Sequence, residues 1–384
     1  MRTLVYLDHN ATTPLDSAVL EQMLPWMTER FWNAASAHVG GQAAARAVDS
    51  AREALAELIG SRPGEIVWTS GATEADNLAL KGALALAAPG RRRLVTVATE
   101  HKAILDTAGW LAESGTPVTV LPVERDGTLL LARLDEALAA NDVALVSVMA
   151  ANNETGVLAD LTSIAETVHG HGAILHTDAT QLVGKLPFDV SRSQVDLASI
   201  SGHKMYGPKG VGALYVSRRI EVSAQIHGGG HERGTRSGTL NVPAIVGFGA
   251  AASISYNYDR VEPDRQAGLC GELLASLRER LPDVSETTNA PNRLPNTLSI
   301  RFAGADADAV MANASEIAVS SGSACTALVP EPSHVLRAMG LDGTAASECL
   351  RMSVGRATSG REIGIAVNAL ERAVTRVRAL GSVR

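Results

Sequence analysis

Between Glu65 and about Tyr215 short β-rich runs alternate with helical stretches, and this alternation restricts the fold more than any other feature of the chain. The runs are Ile66-Val67-Trp68-Thr69, Leu94-Val95-Thr96-Val97, Val118-Thr119-Val120-Leu121, Leu145-Val146-Ser147-Val148 and Ile174-Leu175-His176-Thr177. Strands separated by helices must be joined by crossovers, so they line up mostly parallel in one sheet with helices on its faces, an α/β architecture. One intervening helix is expected from Glu74 to Leu86, with Thr73 able to cap it and Leu78, Ala79 and Gly82 on one face. Reactive groups in such a sheet gather at the strand ends. After about Tyr256 the pattern changes to a helix (Arg265 to Arg280), a strand (Thr297 to Phe302), a helix (Asp306 to Ala314) and a strand (Glu316 to Ser320). It closes with a strand at Leu350 to Val354 and a helix from about Arg361 to Leu380. The expected organisation is a large, mostly parallel-sheet domain over residues 16–256 and a smaller α+β domain formed by 1–15 with 257–384.

Composition excludes several classes. At 384 residues, 46% apolar and 20% charged, the chain can bury an extensive core and is not of the disordered type. Its formal net charge of −7 without a long basic run gives no footprint for direct nucleic-acid binding. An acidic residue, Asp8, arrives before any apolar signal segment could form, and no apolar run reaches membrane-spanning length, so a cytoplasmic protein is expected. Three cysteines, Cys270, Cys325 and Cys349, lack C-x-x-C spacing and are odd in number, which argues against a disulfide framework or a tetrahedral zinc site.

One lysine organises the rest. Lys204 follows Ser201-Gly202-His203 just past the strand-like run Asp196 to Ile200, where a side chain can reach into a cleft. A lysine that binds an aldehyde cofactor needs a seat for the cofactor's phosphate, and Ser70-Gly71-Ala72-Thr73 leads into a helix whose free N–H groups and dipole suit an anion. Pyridoxal chemistry also needs a carboxylate at the ring nitrogen, because a protonated pyridinium is the stronger electron sink. Asp178, ending an apolar strand, is the candidate, with a structural hydrogen bond or a helix cap as the plainer alternative. Gln181 can hydrogen-bond the ring oxygen and His101, at the start of a helix, can stack on the ring, although a histidine there is more often a cap.

The segments 7–14 (LDHNATTP), 69–74 (TSGATE), 99–102 (TEHK), 151–156 (ANNETG), 176–181 (HTDATQ), 201–210 (SGHKMYGPKG), 227–234 (HGGGHERG) and 320–326 (SSGSACT) occur in an order that resembles the cysteine desulfurases over essentially the whole chain. The resemblance implies a fold-type I pyridoxal 5'-phosphate homodimer that converts L-cysteine to L-alanine and passes sulfur, held as a persulfide on Cys325, to an acceptor protein. It implies that Lys204 binds the cofactor covalently and serves as base. It seats the phosphate on Ala72, Thr73, Ser201 and His203, with Thr239 reaching in from the partner subunit. It sets Asp178 at the ring nitrogen, Gln181 and Asn153 at the ring substituents and His101 over the ring face. Arg351 matches the arginine that grips the substrate carboxylate, for which a planar two-pronged donor is suited. The SSGSAC form belongs to the subgroup with the longer active-cysteine loop, and Cys325 there can also ligate an iron–sulfur unit transiently. The chain lacks the longer tail with which housekeeping relatives dock a scaffold, so the acceptor stays open. Two departures from this reading remain alternatives: a pyridoxal lyase or aminotransferase that does not use Cys325, and a non-catalytic scaffold that retains the fold.

Cys325 sits among small residues that favour an accessible segment, and attack by its thiolate needs a nearby proton acceptor, for which His101 is a candidate. Cys270 falls in the apolar stripe of a helix and reads as a small buried hydrophobe. Cys349 alternates with Arg351 on the last strand, about 7 Å along it, so it lies either near the substrate or, as favoured, as a tolerated small residue. His227 and His231 are separated by glycines that disfavour the helix an i, i+4 metal pair needs.

Overall fold

The computed structural model describes residues 4–258, 262–321 and 332–381. Thirteen strands appear in it: β1 Val5–Tyr6, β2 Ile66–Thr69, β3 Arg93–Val97, β4 Val118–Leu121, β5 Val143–Ser147, β6 Ile174–Asp178, β7 Leu197–Ser201, β8 Gly212–Val216, β9 Val284–Glu286, β10 Thr297–Phe302, β11 Ile317–Ala318, β12 Ser320–Ser321 and β13 Cys349–Ser353. Seven of them make one sheet in the order β2-β8-β7-β6-β5-β3-β4, in which β8 alone runs antiparallel to its neighbours. Its central strands β5 and β7 are buried on both faces, so their sequences, VALVS and LASIS, show no alternation. Edge strand β4 keeps Val120 exposed.

Helix Ala72–Ala85 lies on one face and buries Leu78, Ala79 and Gly82, the stripe read from the sequence, together with Ala75. It starts earlier than expected: Gly71 is the N-cap and Thr73 lies inside the first turn. The turn that delivers it presses onto β8, where a Cβ on Gly212 would come within 2.6 Å of Gly71 Cα. Across the sheet, helix Val242–Tyr258 is apolar on nearly every side and packs against helices Ser17–Thr28 and Val39–Leu58. Gly249 permits that approach, since its Cβ would meet Ala51 Cα at 2.5 Å.

A second, four-stranded antiparallel sheet, β12-β13-β10-β9, has its own core. Leu273 and Leu277 from helix Glu262–Arg280 and Leu370 and Val374 from helix Gly360–Gly381 pack there with Ile300 and Phe302. The single strand expected from Glu316 to Ser320 is split. Ile317 and Ala318 pair with β1, whereas Ser320 and Ser321 pair with β13, because the chain passes from one sheet to the other at Val319. The N-terminal segment joins the two layers: Asn10 N–H donates to Ser353 Oγ at 2.9 Å and Thr13 N–H to His203 O at 3.0 Å.

Candidate active site

The parallel strands β2, β3, β5, β6 and β7 end on one side of the sheet, and their carboxyl ends open into a cleft of about 700 Å³. Ala72, Thr73, His101, Asn153, Asp178, Gln181, Ser201, His203, Lys204 and Arg351 all line it. Thr239 does not; it is exposed on the surface. Cys325 lies outside the described residues.

At one end of the cleft the first turn of helix Ala72–Ala85 presents backbone N–H groups that no intrahelical carbonyl can take. Ser201 and His203 face them from the end of β7. Burial, then the charges of Lys204 and Lys209, pushes His203 down to about 4, so its ring is neutral near pH 7 and would meet an anion through a hydrogen bond and not through charge. Ser70 N–H donates to Glu74 Oε2 at 2.8 Å, and Arg236 Nε to Glu74 Oε1 at 2.7 Å, which ties the 227–238 loop to this corner. Glu232 of the same loop accepts a two-pronged bond from buried Arg52, both contacts 2.8 Å. The histidines expected not to form a metal pair belong to this anchored loop, and no cluster of metal-ligating groups occurs among the described residues.

Lys204 ends the 3-10 turn Gly202–Lys204 and donates from Nζ to the carbonyls of Asn10 and Ala11, each at 2.7 Å. Asp178 stands at the end of β6, where one oxygen accepts Thr180 N–H at 2.9 Å, the plainer structural role, and the expected ring-nitrogen role would fall to the other oxygen. Behind it is a buried acidic wall that the sequence reading missed. Burial and the Asp178 charge push the carboxyl groups of Asp76 and Glu100 well above the usual range, and both Asp76 oxygens and Glu100 Oε2 lack hydrogen-bond partners. Kept protonated in this way, Asp76 and Glu100 leave the Asp178 charge as the one that a cation in front of the wall, such as a protonated ring nitrogen, would meet. His176, also missed, is pushed by burial to about 3 and bridges Ser147 Oγ (2.9 Å) and Ser199 Oγ (3.0 Å) as a neutral ring under this wall.

His101 is the N-cap of helix Lys102–Glu113, its Nδ1 accepting Ala103 N–H at 3.1 Å. A neutral ring bonded this way carries its proton on Nε2 and offers a donor to the cleft. The ring accepts a proton only once it lets go of the cap, a constraint on the base role considered for it.

At the other end, Arg351 of β13 donates to Asp8 Oδ1 (2.6 Å), Ser320 Oγ (3.1 Å) and Asn153 O (3.0 Å), while its buried Nε has no partner. Asp8 thus holds the guanidinium, a partner the motif at 7–14 contained but did not reveal. Cys349 shares the strand with Arg351 but stays out of the cleft: its thiol donates to Ala345 O at 3.0 Å and packs with Val335, Leu336 and Met339. Burial pushes it, and likewise Cys270 in the core of the second layer, up to about 12.

The family model for class-V aminotransferases matches residues 5–365. A cysteine desulfurase of Frankia sp. (strain EuIK1) is 49% identical over 98% of this chain and 93% of its own length. Another, the cysteine desulfurase IscS of Anaeromyxobacter sp. (strain Fw109-5), is 48% identical over 98% of this chain and 94% of its own. The solved structure of a NifS-like protein superimposes with a TM-score of 0.91 at 35% identity, covering 98% of this chain and all of that one.

Proposed function

This chain belongs to the class-V aminotransferase family and is a pyridoxal-phosphate-dependent cysteine desulfurase, and on that premise we propose how its own residues divide the work. The observation that carries the reading is that the phosphate seat, Asp178, Lys204 and Arg351, contributed by separate elements, line one cleft. Pyridoxal phosphate supplies an electron sink for the substrate's α-carbon. Ala72, Thr73, Ser201 and His203 would hold its phosphate, Asp178 its ring N–H and Gln181 and Asn153 its ring substituents, with His101 beside the ring, since all of them line this cleft. Arg351 receives the carboxylate of L-cysteine, and Lys204 holds the cofactor and moves the proton at the α-carbon. Sulfur then passes to Cys325 and on to an acceptor protein, leaving L-alanine.

The test is product analysis: the holoprotein given L-cysteine should release alanine, and absence of alanine would overturn the reading. Arg351→Lys keeps the charge but loses the fork, so kcat/KM for cysteine should drop about 100-fold, mostly through KM. An unchanged KM would remove Arg351 from carboxylate recognition.

The separate cores around the two sheets support a division into a large domain over 16–256 and a smaller one from 1–15 and 257–384. A homodimer is part of the same reading. Leu20, Leu24 and Met27 lie at helical spacing on helix Ser17–Thr28 and Phe31, just past its end, is 75% exposed, an apolar patch that a second copy would cover. Exposed Thr239 suits a residue lent to the partner's phosphate seat. Sedimentation equilibrium should give twice the 40.0 kDa chain mass, and a monomer at micromolar concentration would contradict it. No described helix is long and apolar enough to cross a membrane, and Cys270 and Cys349 are free thiols, in keeping with a reducing cytoplasm.

A further inference from the structure

We propose that Lys185 is a positioning residue for the cofactor end of the cleft, orienting the Gln181 amide and holding a second positive charge behind Lys204. The inference rests on the reading of Lys204 as the tether and of Gln181 as a ring contact. Lys185 Nζ donates to Gln181 Oε1 at 2.5 Å and to Asn10 Oδ1 at 2.7 Å. An ammonium has donors only, so the amide must turn its oxygen toward Lys185 and its NH2 away. One of those N–H groups reaches Asn10 O at 3.0 Å, leaving the second for the cleft that Gln181 lines. The same carbonyl of Asn10 accepts Lys204 Nζ at 2.7 Å. Lys185, Gln181, Asn10 and Lys204 therefore form one chain of hydrogen bonds, oriented from the Lys185 ammonium at one end.

The electrostatics point the same way. The Lys185 side chain is partly buried, and no carboxylate among the described residues pairs with it; the charges that face it are Lys204 and Arg351, and His9 lies close by. Burial, then these two cations, holds Lys185 well below the ordinary lysine range, and burial followed by the Lys185 charge holds His9 near 4. A buried cation without a counter-ion is costly, and a neutral side chain would fill the space with less penalty. Its charge also acts back on Lys204, disfavouring a proton there and keeping that amine reactive near neutral pH.

The experiment is a pH titration of the holoprotein's visible absorption band. Lys185→Met should raise the midpoint by about one unit, a tenfold gain in proton affinity, because the repelling charge is gone. Lys185→Arg, which keeps charge and donors, should restore the wild-type midpoint; Lys185→Gln should shift as Met does and serves if the methionine variant fails to fold. A wild-type midpoint in the cofactor-loaded Met or Gln variant overturns the proposal. Borohydride reduction of the wild-type holoprotein and peptide mapping separates this failure from that of the parent reading. A pyridoxyl group on the Lys204 peptide with an unmoved midpoint sinks only the role of Lys185, whereas a pyridoxyl group on the Lys185 peptide sinks both.

Discussion

Lys204→Ala protein should lose the visible band of the bound cofactor and release alanine from cysteine at least about 1,000-fold more slowly than wild type. The size follows from the two tasks given to one amine. In the proposed reading it tethers the cofactor in register with Arg351 and moves the α-proton, a step for which a positioned base alone contributes about 10² to 10⁴. Folding should survive the change. Lys204 donates to the carbonyls of Asn10 and Ala11, both on a segment that other bonds hold in place, and Asn10 O keeps the Gln181 amide. Asp178 and the phosphate seat are untouched, so the variant should still bind the cofactor, but reversibly and removably by dialysis. A variant that keeps both the band and wild-type alanine release would show that another group is the tether, and Lys185, bonded to the same Asn10, would be the first to examine.

Much of this site was legible in the sequence because its parts sit at strand ends, and strand ends are marked by local pattern. Apolar runs at Ile66, Leu94, Leu145 and Ile174 locate four strands of the main sheet, and the residues that follow them, Ala72, His101, Asn153 and Asp178, all reach the cleft. Three things escaped that logic. Asp76 lies on the inward face of a helix, where period alone says core, and only the fold reveals that Asp178 and Glu100 are beside it. Asp8 and Lys185 act through partners 343 and 175 positions away, separations over which a single sequence carries no pairing signal. Cys349 follows its favoured reading, a small residue away from the substrate. Strand alternation put it on the face of Arg351, yet at that end of β13 the surroundings are Val335, Leu336 and Met339 and not the cleft.

Cys325→Ala should stop alanine formation while leaving the visible band intact, the reverse of the Lys204 phenotype in its spectrum and its match in turnover. Cleaving the Cβ–S bond of cysteine requires somewhere for the sulfur to go. In the balanced step the Cys325 thiol and the substrate give alanine and an enzyme persulfide: the substrate sulfur forms a bond to Cys325 Sγ as its bond to Cβ breaks, and the electron pair and a proton end on the product's carbon. Ser320, five positions earlier, donates to Asp8 and accepts from Arg351, so the chain leading to Cys325 leaves from the carboxylate-binding corner. Neither other cysteine can stand in, because Cys270 and Cys349 are buried in separate cores and burial pushes both thiols up to about 12, far from the thiolate that attack requires. Alanine release should therefore fall at least about 100-fold, and mass spectrometry of wild-type protein treated with cysteine should find a sulfur adduct of about 32 Da on the Cys325 peptide. Alanine release at the wild-type rate from the Cys325→Ala protein would mean that sulfur departs without this thiol, and the lyase alternative would replace the persulfide route.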